Sequence, residues 1–152
     1  MPSSNLDKQI KRHVVGPEQA CYAVMPPSAE ALCARELADL SEPVQVDAVE
    51  TGGLSFSARL AALYQANLQV RTAVRLLLRL AQFKATNFRQ LEKLCASVNW
   101  IWYLPKGAVP ACKVTAHQSR LYHSEAIAQR VVSAVTAYWH NQGAAPVETP
   151  TQ

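Results

Sequence analysis

The chain has 152 residues, with 15 Lys and Arg against 11 Asp and Glu, and is 49% hydrophobic and 17% charged. That length and apolar content suit one ordinary domain or two small ones and exclude a chain disordered throughout. No apolar run is long enough to span a bilayer, and residues 1–5 (MPSSN) lack the apolar core of a signal peptide, so a cytoplasmic protein without membrane partners is expected.

Residues 1–17 are polar, hold Lys8, Lys11, Arg12 and His13, and end in Gly16 and Pro17, the composition of a flexible basic leader. Residues 21–25 read as a strand stopped by Pro26 and Pro27. Ser28 offers an N-cap and Glu30 a first-turn carboxylate, and Cys33, Leu37 and Leu40 follow at helical spacing. A second strand is expected over 44–49. Gly52 and Gly53 mark a turn, and Leu54 and Phe56 alternate with Ser55 and Ser57 in the returning strand. Leu60, Leu63, Asn67 and Val70 mark a second helix.

Over residues 73–83 the period falls to two. Val74, Leu76, Leu78 and Leu80 make an apolar face, whereas Arg75 and Arg79 share the other face with Ala73, Leu77, Ala81 and Phe83. Two guanidiniums about 13 Å apart on an open sheet face suit a polyanion. Ordinary solvated charge is the alternative. The order strand, helix, strand, strand, helix, strand is the split βαβ, ferredoxin-like arrangement, whose sheet carries helices on one face only. The expected fold class is therefore α+β, with the ferredoxin-like domain over 18–85.

A second unit is expected over 86–141. Asn87 can cap a helix with Phe88, Leu91, Cys95 and Val98 on one side, and Gln90 is placed for a capping box. Trp100, Trp102 and Tyr103 follow as an aromatic cluster, suited to a core or to stacking on bases. A short strand is expected at 112–117. Ser124 then stands as N-cap of a helix carrying Ile127, Val131, Val135 and Tyr138, and residues 142–152 read as a disordered tail.

Charge is divided unevenly. Residues 14–58 sum to −6 and residues 59–130 to +9, which favours an acidic partner such as nucleic acid. The loop leading to Ser124 is the main candidate. Arg120 can bond phosphate bidentately, and Tyr122 can stack on a base. Lys113 can approach from the preceding strand, and His117, Ser119 and His123 surround a helix N-terminus able to attract an anion. The competing reading makes Leu121 and Tyr122 core plugs. Cys21, Cys33, Cys95 and Cys112 show no metal or redox spacing, and neither do the four histidines. No nucleophile, paired carboxylate or cofactor loop is evident.

Residues 22–27 (YAVMPP), 52–56 (GGLSF), 63–68 (LYQANL), 71–75 (RTAVR) and 119–124 (SRLYHS), with the helix containing 127–131 (IAQRV), together resemble the THUMP-containing RNA methyltransferases. The likeness is to the bacterial 23S rRNA guanine-N2 methyltransferases and relatives labelled adenine-specific DNA methylases. It implies a ferredoxin-like domain followed by a THUMP domain, here partial. The pair would bind structured RNA, most naturally rRNA, for a methyltransferase domain in cis or in trans. The implied cofactor, S-adenosylmethionine, belongs to that missing domain, so this chain is expected to hold no cofactor and to be catalytically silent. The sequence equally allows an interaction or dimerisation module without RNA contact, or a binder of a small anion.

Overall fold

A computed structural model describes residues 4–148, which divide between Leu80 and Ala81 into two compact units, five residues before the expected boundary. In the first unit, α1 (Asn5–Ile10) runs on into a wider π turn at Lys11–Val15, where sequence suggests only a leader. Its start is a capping box: Ser4 Oγ accepts from Asp7 N at 3.1 Å, while the Asp7 carboxylate accepts from Ser4 N at 2.9 Å. Val14 is buried, and the Gln19 amide donates to the carbonyls of His13 and Val14.

Four antiparallel strands follow: β1 (Gln19–Val24), β2 (Val46–Glu50), β3 (Gly53–Ala58) and β4 (Arg75–Leu78), in the order β2-β3-β1-β4. The crossovers are α2 (Glu30–Ala38) and α3 (Leu60–Gln69). This is the ferredoxin-like order expected from the sequence. The core takes Cys21, Ala23 and Met25 from the β1 region, Leu54, Phe56 and Ala58 from β3, Cys33 and Leu37 from α2, and Ala62, Leu63 and Ala66 from α3.

Two local expectations are corrected. Ser28 does not cap α2: its φ of +79° removes it from the extended geometry of an N-cap, and Ala29 occupies that position without a side-chain bond. The Glu30 carboxylate, in the first turn of α2 as expected, accepts from Gly52 N at 2.7 Å, tying α2 to the β2–β3 turn. The regular part of the last strand spans only Arg75–Leu78. Leu76 and Leu78 pack on the core, whereas Val74 is 70% and Leu80 37% exposed, so the apolar stripe is longer than the sheet that can cover it.

In the second unit α4 (Phe88–Ala96) packs on α5 (Ser124–Asn141). Leu91, Cys95 and Ala134 form one core group, and Val109, Val135, Tyr138, Trp139 and Ala144 form another. Asn87 caps α4, accepting from Gln90 N at 2.8 Å, but the Gln90 side chain closes back on Thr86 N at 3.0 Å rather than on Asn87. Trp100 and Trp139 serve the core. The indole of Trp100, in a 3-10 turn at Trp100–Trp102, donates to Cys95 O at 2.9 Å, and that of Trp139 donates to Ala108 O at 2.7 Å. The expected strand at 112–117 is irregular chain. A two-residue strand, β5 (Ala108–Val109), pairs in parallel with β6 (Val147–Glu148). The expected tail thus contributes a buried Ala144 and a strand; its residues 149–152 lie outside the described residues.

Candidate nucleic-acid interface

In the second unit the loop before α5 is anchored by Leu121, which packs beside Leu91, Cys95 and Ala134. Ala85 packs on the same group. These two anchors draw their neighbours together, although more than thirty residues of chain lie between them. Lys84, Ala85, Thr86, Gln118, Ser119 and Arg120 line one cavity of about 360 Å³. No carboxylate lines it, and Lys84 and Arg120 form no ion pair among the described residues. The ammonium, guanidinium and carboxamide groups are all donors. Gln118 takes φ +47°, and Ser119 Oγ accepts from Leu121 N at 3.2 Å, which shapes the turn presenting Arg120. Such a concavity can hold a phosphate through charge-assisted hydrogen bonds.

Of the sequence candidates, Ser119 and Arg120 line this cavity. Lys113, His117, Tyr122 and His123 do not. Lys113 lies in irregular chain, not on a strand. Tyr122 is 69% exposed, and its ring lies 4.2 Å from that of His123; Leu121 alone is the plug. Ser124 is the first residue of α5, not its cap. His123 holds the cap position without a side-chain bond, and Glu125 already sits in the positive first turn. Nothing local in the sequence links Lys84 and Thr86 to Arg120.

In the first unit the helix-free face of the sheet can be read row by row from the register. Arg75, Val24, Gly53 and Glu50 form one row, and Leu77, Tyr22, Ser55 and Ala48 the next. Arg79 extends past β4, its N–H bonding Ala20 O at 2.9 Å. The face therefore runs from Arg75 and Arg79 on one edge to Glu50 and Asp47 on the other, with Tyr22 between. The Tyr22 hydroxyl donates to Glu50 Oε1 at 2.5 Å, and the Arg79 guanidinium lies 5.9 Å from the ring centroid. The hydrogen bond to Glu50 is the main cause holding the phenol pKa above its ordinary value, while Arg79 opposes it. Ser57 Oγ donates to Asp47 at 2.9 Å. Arg75 and Arg79 do share the open face, as expected, but opposite an acidic edge, and it is over the Tyr22 ring that Arg79 lies.

Among the described residues no group of three His, Cys, Asp or Glu is placed to hold a metal ion, and no helix is long and apolar enough to cross a membrane. The four cysteines are free, and burial raises the thiol pKa of each.

The first unit is thus a ferredoxin-like domain of an α+β protein. Residues 20–77 match the RlmL ferredoxin-like domain. The chain is 34% identical over 84 residues to YpsC of Bacillus subtilis (strain 168), named as a candidate RNA methyltransferase; the match spans 55% of this chain and 21% of YpsC. A solved structure from Listeria monocytogenes str. 4b F2365, titled a predicted N6-adenine-specific DNA methylase, aligns at TM-score 0.75 and 26% identity over 93% of this chain and 35% of that one. SMU.472, a candidate methyltransferase solved with SAH, aligns at TM-score 0.76 and 21% identity over 87% of this chain and 37% of its own, a likeness of fold. The chain therefore spans about a fifth of the curated relative and about a third of each solved one.

Proposed function

We propose that this chain is the RNA-binding part, a ferredoxin-like domain with a partial THUMP domain, of an S-adenosylmethionine-dependent RNA methyltransferase. Its RNA is a structured one, rRNA in the reading we favour, and the reaction is methyl transfer to a guanine N2 amine. The observation that carries RNA binding is the cavity joining Lys84 and Arg120, two cations with polar donors and no carboxylate. The RNA methyltransferase name of YpsC and the match to the RlmL domain support the wider assignment. The cavity's cations would face the sulfonium of S-adenosylmethionine and so do not fit that cofactor; no methyl-transfer step is derived from residues of this chain. Its part is to bind and orient RNA for a catalytic domain in cis or in trans, in the cytoplasm.

The test is affinity for a structured rRNA fragment across a salt series. Arg120→Ala and Lys84→Ala should each weaken binding and reduce the salt slope by about one. Unchanged affinity in both would remove the cavity from the interface. The second reading, a dimerisation module, has in its favour the acidic and basic edges of one sheet face, which are complementary to a second copy. A changed sedimentation coefficient for the Arg75→Ala, Arg79→Ala pair, with RNA affinity intact, would select it.

A further inference from the structure

Tyr22 sits at the centre of the open sheet face, on the inner strand β1, with Ser55 and the exposed Leu77 as its row neighbours. Three contacts hold it there. The ring and hydroxyl lie across Gly53, where a Cβ would collide with both. Gly53 takes no positive φ there, so a bare position at this point serves the approach of the ring, not the turn. The hydroxyl is tied to Glu50, and the Arg79 guanidinium lies over the ring, 5.9 Å from its centroid.

We propose that this face binds one unpaired guanine nucleotide of RNA, with the base stacked on Tyr22, its N1–H and N2 amine donated to the Glu50 carboxylate, and its phosphates beside Arg79 and Arg75. Single-stranded bases are recognised by stacking on rings displayed on a sheet and by hydrogen bonds to their Watson–Crick edges. An ionised carboxylate only accepts, and it keeps capacity beyond the one bond from Tyr22. Guanine presents two adjacent donors on that edge, whereas adenine and cytosine present one amine beside an acceptor that a carboxylate repels. The acidic edge, which argues against a continuous polyanion track, thus becomes the base-reading side, and the arginine edge becomes the phosphate side. This inference rests on the RNA-binding reading and deepens it, by assigning the first unit a nucleotide site of its own.

The experiment measures binding of the full chain to short uridine-rich single-stranded RNAs carrying one central guanosine, inosine or adenosine. Guanosine should bind best, inosine (without the N2 amine) less well, and adenosine least. Tyr22→Leu should weaken the guanosine RNA about tenfold, within the range for one stacked base, and Tyr22→Phe, which keeps the ring, should bind at least several-fold better than Tyr22→Leu. Glu50→Gln should abolish the preference for guanosine over adenosine. Far-UV circular dichroism establishes that each variant is folded. Equal binding of the guanosine and adenosine RNAs, or affinity unmoved by Tyr22→Leu, would overturn the site. If Arg120→Ala still weakens structured RNA in that case, the general RNA-binding reading stands and only this site falls; if neither kind of RNA binds, both fall.

Discussion

Two carboxylates on α2 hold distant chain in place. Glu36 Oε2 accepts from Arg71 N at 3.2 Å, Thr72 N at 3.1 Å and Thr72 Oγ1 at 2.5 Å, and Glu30 accepts from Gly52 N. These bonds favour the ionised forms, led for Glu36 by the Thr72 hydroxyl and for Glu30 by the Gly52 N–H, and lower both pKa values. A carboxylate with a lowered folded pKa stabilises above its unfolded pKa, and that stability is lost as pH falls through the folded value. Glu36→Gln should therefore cost about 1 kcal/mol at neutral pH, the charged-bond value discounted for exposure, and the gap to the native chain should close in acid. Thermal melts at neutral and acidic pH check this. At Tyr22, Glu50→Gln should bring the phenol pKa down toward its ordinary value and Arg79→Ala should raise it further, followed by tyrosine ring-carbon NMR. None of these partners was legible in the sequence, because a hydrogen bond between residues 28 or 36 apart depends on packing and not on spacing.

At the level of elements, local pattern carried far. The order of the four strands and both crossover helices, and the approximate limits of all but the last strand, follow from periods of two and 3.6. The S-x-x-D signal at Ser4 and Asp7 marks the start of α1 as clearly as Asn87 marks α4; the polar composition of the segment hid it. Ser28 and Ser124 show the converse: a suitable cap residue goes unused where its own φ is positive, as at Ser28, or where the helix already includes it, as at Ser124. In the second unit Trp139 is fully buried and bonded to Ala108, the strand it braces. Trp139→Ala should cost about 3–5 kcal/mol, read as a lower urea midpoint by circular dichroism. The Glu92–Arg130 pair, at 3.0 Å but with side chains 33% and 51% exposed, should matter little: Glu92→Ala should change stability by less than about 1 kcal/mol.

For the molecule as a whole, each unit has its own core, and each displays one cationic feature. Salt-dependent RNA binding is therefore the property that charge placement predicts, rather than net charge, which is only +4. Sequence alone determined the fold class, the ferredoxin-like strand order, the sheet face bearing Arg75 and Arg79, and the likeness to RNA methyltransferases. All of these follow from residues a few positions apart or from motifs in series. Tertiary structure alone decided that Lys84 meets Arg120 and that Tyr22 lies over Gly53 against Glu50. Those neighbours are set by where Ala85 and Leu121 bury and by which strands pair, because apolar burial is the dominant driving force of folding and carries the polar groups with it.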